Sequence, residues 1–392
     1  MAFEAMKRTF HALFAALALI PPSAGAAERW DPTRPQSFSL TPARTSSRES
    51  ASRLPENPAV VWRVRVASGV PFAPTATGDG SIVLALTTPV LAEYDARGRL
   101  VWSERIGPSG AATSPVVLGD GTRLVLTQAG EAVAFSAHGQ LLRRVGLPLP
   151  ALDSPPLLAA AFDGGLFIAV GRRLVRLDAA LGIVANVRAD QEIRAVLPNS
   201  ERPLVVTANG TVFELGTSAL RRVASFSSRV DAAARGGDRN LFAILEGRRL
   251  VELDVTTQTP TTRFAETDVD LLPFLAANPT AGLRVLSGLE LLLAFGLDGR
   301  ESFRVALPAG TAGVRTPIHE FSLDQRGTTL VARSGVDLVA VHADGSLVRV
   351  DGTACGEPLP VVGAAAGYAV YACRSGILLG LGERAPVTDT TK

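Results

Sequence analysis

Ser114-Pro-Val-Val-Leu-Gly-Asp-Gly-Thr-Arg-Leu-Val-Leu126 and, just upstream, Val90-Leu-Ala-Glu-Tyr-Asp-Ala-Arg-Gly-Arg-Leu-Val-Trp102 decide the fold. In the first, a proline opens a short apolar run where its missing N–H costs least, and Asp-Gly turns the chain into a second apolar run. In the second, Asp95-Ala-Arg-Gly98 is a turn between two more apolar runs. Together they make one unit: a strand begun by Pro, then three further strands separated by Gly turns.

Working outward, the unit repeats from Val60 to Leu381. Aligning the turn before each second long run gives Pro89, Gly130, Gly171, Gly210, Gly247, Gly288, Gly335 and Gly376, with spacings of 37 to 47 clustering near 41. The second turn recurs with Gly98, Gly139, Gly299 and Gly345, and the opening proline with Pro74, Pro115, Pro155 and Pro317. A period of roughly 41 is that of a four-stranded propeller blade, and about 325 residues then hold eight blades, whereas seven would need a mean near 47. The expected fold is all-β, an eight-bladed β-propeller over residues 59–383. The last unit, Pro358 to Leu381, is short of its outer strand, while Val60-Val-Trp-Arg-Val-Arg-Val66 stands alone ahead of the first. Pairing these two closes the ring and removes exposed sheet edges.

The flanks read differently. Residues 1–26 form a secretory signal: Lys7 and Arg8, the apolar Phe10–Ile20, and Ala24-Gly25-Ala26 as the small-residue cleavage site. Export to the periplasm or the exterior is expected, with cleavage after Ala26, no lipid-acceptor Cys beside it and no transmembrane segment. Residues 27–58, rich in Pro, Ser, Thr and Arg, read as a flexible leader containing Trp30, and 384–392 as a disordered tail. In an oxidising compartment the two cysteines, Cys355 and Cys373, are expected to pair as a disulfide pinning the closing blade; two separate buried thiols are the alternative.

Composition excludes some classes. With 47% hydrophobic and 19% charged residues the chain is not a disordered polymer. Thirty-nine basic against 37 acidic residues leave +2, which argues against nucleic acid as a partner. No nucleophile elbow, HExxH, P-loop or dinucleotide motif occurs, so no catalytic residue, metal or cofactor is assigned. His138 and His342 fall on turns, and His319 follows Pro317 near the start of blade 7.

The two opening stretches resemble the repeat of pyrroloquinoline-quinone-type propellers, in which a Ser-Pro strand start, an Asp-Gly turn, an Asp-x-x-Gly turn and a Trp recur in eight blades. The resemblance covers nearly all of the mature body and is plainest in blades 1, 2 and 7. It implies that Trp62 and Trp102 dock neighbouring blades; Arg143 and Arg349 stand at the same offset in later units, where packing is then expected to rest on aliphatic side chains. The family includes quinone-dependent dehydrogenases, with a vicinal Cys pair and a calcium loop that this sequence lacks. It also includes non-enzymatic members such as the propeller subunit of the outer-membrane β-barrel assembly machinery. The expected function is an exported, non-enzymatic, protein-binding scaffold of the envelope, monomeric as a subunit, whose partner is an envelope or secreted protein. A quinone- or sugar-handling protein with a degenerate site in the central funnel is the alternative, and a carbohydrate-binding module a third.

One surface stands out. In a four-stranded blade the turn between the second and third strands shares a face with the connections between blades. Arg172, Arg173, Arg248, Arg249, Arg333 and Arg374 fall on those turns, a candidate crescent for an acidic partner. Glu131, Glu246, Glu290 and Asp337 lie beside them, so a merely solvated surface stays open.

Overall fold

A computed structural model describes residues 48–50 and 54–384, apart from 150–151, 153–155, 162, 199–202, 237–239, 266–269, 279, 289, 309–317 and 366. The described residues form eight antiparallel blades in a ring, with no helix. In blade 1 the strands run Thr75–Ala76, Ile82–Ala85, Val90–Tyr94 and Leu100–Arg105 in spatial order from the axis to the rim, and the other blades repeat that order. Residues 1–26, read from the sequence as a signal, most of residues 27–58 and the end of the tail lie outside the described residues.

Burial follows position in the blade. The second strand of blade 1, Ile82–Ala85, is buried on both faces, as is Arg123–Leu126 in blade 2, because neighbouring blades cover both sides. These strands therefore read as continuous apolar runs. Apolar clusters bridge adjacent blades: Ile82, Leu84 and Tyr94 pack with Leu359, Val370 and Leu378 between blades 1 and 8. The fourth strands face solvent, Leu100–Arg105 and Leu141–Gly146 almost throughout.

The ring closes as the sequence predicts. Pro58–Arg65 pairs antiparallel with Ile377–Glu383, Pro58 opposite Glu383 and Arg65 opposite Ile377, supplying the rim strand of blade 8. The aligned glycines from Gly130 to Gly376 fall in the turns between second and third strands, and Gly98, Gly139, Gly299 and Gly345 in the turns between third and fourth. At Asp95-Ala-Arg-Gly98 the Asp95 carboxylate accepts the N–H groups of Arg97 and Arg99, each at 2.9 Å, and Gly98 takes φ 75°.

One part of the leader differs from expectation. Arg48–Ser50 runs parallel to Ser322–Asp324, making blade 7 five-stranded, and Leu54 and Pro55 are buried. The leader's end is held by partners some 270 residues away, which a composition reading cannot see.

Candidate functional site

The arginines singled out in the sequence do lie at the turns between second and third strands, but local partners hold most of them. Arg173 donates to the Pro148 carbonyl. Arg249 donates to Ser228 Oγ at 2.8 Å and pairs with Glu246 at 3.2 Å. Arg248 faces Asp270 at 3.7 Å, and Arg374 faces Glu357 at 4.0 Å. Arg172 is exposed. Arg333 is 0% exposed and donates to the Pro308 carbonyl, so it belongs to the interior and does not face a partner. Arg333 ends a buried strand, Thr329–Arg333, and its side chain reaches back to Pro308, just past the rim strand of blade 6. No continuous basic crescent results.

Trp62 and Trp102 do clasp neighbouring blades, and in the same way. From the rim strand of blade 8, Trp62 donates its indole N–H to the Ala96 carbonyl at 2.8 Å, and its ring lies on Gly98 of blade 1. From the rim strand of blade 1, Trp102 donates to the Ala137 carbonyl at 3.2 Å and lies on Gly139 of blade 2. A Cβ at either glycine would sit 2.8 Å from the indole, so this turn position requires glycine for space as well as for its positive φ.

The expectation that packing falls to aliphatic side chains beyond these two needs correcting. Arg143, at the tryptophan position of blade 2, donates to the Ala180 carbonyl in the corresponding turn of blade 3. The Arg263 side chain lies on Gly299, and Phe303 on Gly345. Arg349 alone of the two arginines named from the sequence turns back, into its own blade, binding Asp337 at 2.7 Å. Beneath Trp102 a buried ion pair joins blades 1 and 2: Arg123 Nε and Nη2 meet Glu93 Oε2 and Oε1 at 2.8 and 2.9 Å, and the indole N–H also reaches Glu93 at 3.1 Å.

Cys355 and Cys373 come together near the ring closure. Both are buried free thiols, so the expected disulfide bond is not present. Cys355 Sγ lies 3.4 Å from the Tyr371 hydroxyl. Hydrogen bonding from Cys373 pulls the Cys355 thiol below its ordinary pKa, and that same bond with burial pushes Cys373 up.

Sequence reasoning missed two surfaces. The first is apolar. Val61, Leu100, Val101, Leu141 and Leu142 are each 54–57% exposed, with Ile183 and Val184 at 44 and 46%. They stand at matching positions, just after the turn between third and fourth strands in blades 1 to 3, with Val61 on the rim strand of blade 8. Four consecutive blades thus carry an aliphatic arc on the rim, toward the face opposite the arginine-bearing turns. The signal was available, as Leu-Val-Trp, Leu-Leu-Arg and Ile-Val-Ala at one repeat position, but it reads as ordinary strand until the fourth strand is known to be outermost.

The second surface is the seat of Leu54–Asn57 over blades 7 and 8. The buried Asp324 carboxylate accepts the Leu54 N–H at 2.9 Å, while Arg326 donates to the Leu54 carbonyl at 2.7 Å and pairs with Glu56. Burial raises the Asp324 pKa above the carboxylate norm, against the lowering effect of the N–H bonds from Leu54, Thr328 and Arg326. A cavity of about 370 Å³ adjoins it, lined by Glu56, Asn57, Arg326, His342 and Asp344. His138 is an exposed turn residue, and His319 sits on the innermost strand of blade 7.

Among the described residues no group of three or more His, Cys, Asp or Glu is placed to hold a metal ion, and no helix is long and apolar enough to cross a membrane.

No protein-family model and no curated protein matches the chain in sequence. Solved structures match in fold. The computationally designed Ika8 protein superposes with a TM-score of 0.65 at 12% identity, over 83% of this chain and 98% of that one. BamB from Moraxella catarrhalis gives 0.62 at 15% identity, over 83% and 98%. Virginiamycin B lyase from Staphylococcus aureus gives 0.52 at 11% identity, over 82% and 99%. The likeness is one of fold, shared by a designed protein, BamB and a lyase.

Proposed function

We propose that the protein is exported and acts as a non-enzymatic scaffold in the cell envelope, its rim binding a protein partner. The observation that carries this is the aliphatic arc over blades 8, 1, 2 and 3. Single exposed aliphatic residues are ordinary, but a row of them at one position in four successive blades is the kind of patch that marks a protein contact. The fold shared with BamB is compatible with such a role. The arginine-bearing turns are the weaker candidate, since most of their cations already have partners.

The test is a photo-crosslinking residue placed in living cells at Leu142, on the arc, and at Arg172, on the opposite face. A stoichiometric adduct from position 142 that Leu141→Asp abolishes supports the rim; adducts only from position 172 transfer the contact to the arginine turns, and none from either sinks the scaffold reading. The same purified material tests export and pairing. It should begin at Ala27, and its denatured, non-reduced mass should be lighter by two hydrogens if a disulfide donor in the compartment has exchanged with Cys355 and Cys373, leaving as two thiols.

A further inference from the structure

The leader's end does more than close the ring. Arg48–Ser50 lies along the inner edge of blade 7, Arg48 opposite Ser322 and Ser50 opposite Asp324, and abuts the innermost strands of blades 6 and 8, Leu271–Asn278 and Val362–Ala365. It is therefore at the axis, adding a parallel strand to an edge that, among the described residues, the other blades leave unpaired. Residues 54–57 then lead to Pro58, where the rim strand of blade 8 begins.

The seat along this path reads the chain at three points. The backbone of Leu54 is held at both ends, its N–H by Asp324 and its carbonyl by Arg326. The Leu54 side chain, 0% exposed, is buried in the apolar cluster that also holds Leu330, Leu338, Val361 and Tyr371. Two residues on, the Glu56 carboxylate meets Arg326, and the N–H groups of Glu56 and Asn57 donate to Glu383 at 2.5 and 3.0 Å. An extended backbone added to a sheet edge, a buried apolar side chain and one charge pair are the elements of strand-addition peptide recognition.

We infer that the inner edge of blade 7, with Asp324, Arg326 and the apolar cluster around Leu54, is a binding site for an extended peptide bearing an apolar residue followed two positions later by a carboxylate. Residues 48–50, beside the axis, and 54–57 occupy it in cis as a strap. The site is separate from the rim arc and stands whether or not the rim binds a partner. A tethered strap acts at an effective concentration in the millimolar range, so a competing segment gains entry only when the strap is weakened or the competitor binds tightly.

The probe is a fluorescent peptide of residues 46–58, tested against the whole mature chain and against a Leu54→Ser/Glu56→Gln variant whose strap is loosened. The variant should bind the peptide at least tenfold more tightly than the unaltered chain, and a peptide carrying the same two changes should not bind. Hydrogen exchange should show the Leu323 amide, which faces the strap while the Asp324 amide donates to the Thr328 carbonyl in its own blade, losing protection in the variant and regaining it with peptide. A variant whose remaining blades keep their protection but which binds no peptide overturns the inference. Should that variant fail to fold, Ser50→Pro leaves the Leu54 anchor alone while it removes a strand N–H and fixes φ: faster exchange confined to the Leu323 amide supports the parallel strap, and unchanged exchange there overturns it.

Discussion

The seam between blades 1 and 2 and the seam between blades 7 and 8 perform one mechanical task by different means. At the first, Trp102 reaches from a rim strand to the turn between third and fourth strands of the next blade, over a buried Glu93–Arg123 pair. At the second no such turn exists to be grasped, because the third and fourth strands of blade 8 come from opposite ends of the chain. Arg349, at the grasping position, turns back to Asp337, and residues 54–57 with Glu383 occupy the place where the turn would be. The comparison teaches that the docking residue responds to what the next blade offers. Indole, guanidinium and phenyl groups all do this work where a turn between third and fourth strands lies within reach.

The comparison breaks most readily at the buried pair. Arg123→Ala strands the Glu93 carboxylate in the blade 1–2 seam and should cost about 3–5 kcal/mol in urea unfolding, whereas Glu93→Leu with Arg123→Met should come close to neutral. A loss of equal size in both would show that packing, not charge, holds this seam. At the other seam, Leu54→Ala should cost about 2–3 kcal/mol, since a fully buried leucine is removed at the strap's anchor. Trp102→Ala follows at about 2 kcal/mol, less than for a fully buried ring because the indole is half-exposed. Arg143→Ala, which removes one exposed bond to the Ala180 carbonyl, should stay below about 1 kcal/mol; a larger loss would place guanidinium and indole on an equal footing.

The smallest effect separates the seams by pH. Burial alone would raise the Asp337 pKa, but hydrogen bonds from Arg349, Ala354 N–H and Thr353 N–H, with the Arg349 charge, bring it below the ordinary carboxylate value. A folded-state pKa that is depressed gives stability present above the unfolded value, near 3.9, and lost as pH falls through the folded one. Asp337→Asn should therefore flatten the acid limb of the stability curve, measured by urea midpoints between pH 5 and 2 (about the span in which a paired carboxylate titrates). An unaltered acid limb would mean that these bonds form equally in the unfolded chain.

The blades were legible because their signals are local. A glycine at Gly130 or Gly139 marks a turn whatever the rest of the chain does, so the count of eight and the closing strand could be read from spacing. The arginine crescent failed at Arg333 because adjacency to Gly335 says where a residue lies along the chain and nothing of where its side chain goes. The strap was invisible for the opposite reason. Leu54 is an isolated apolar residue in a polar stretch, and its partners, Asp324 and Arg326, lie about 270 positions away. Arg143 was noticed at the right offset but given no role, since propensity does not reveal that a guanidinium reaches the turn that an indole reaches elsewhere.

The pairing of Pro58–Arg65 with Ile377–Glu383 has a consequence in time. A ribosome adding about 5–20 residues per second needs tens of seconds to deliver the later strand after the earlier one. Throughout that interval the earlier strand is a solitary template that a passing β-segment can extend. Its own composition guards it: Pro58 cannot donate a backbone hydrogen bond, and Arg63 and Arg65 place charges along the waiting edge. The ring is thus finished by its two extremities meeting last, and any quality control of nascent chains has that vacancy to inspect.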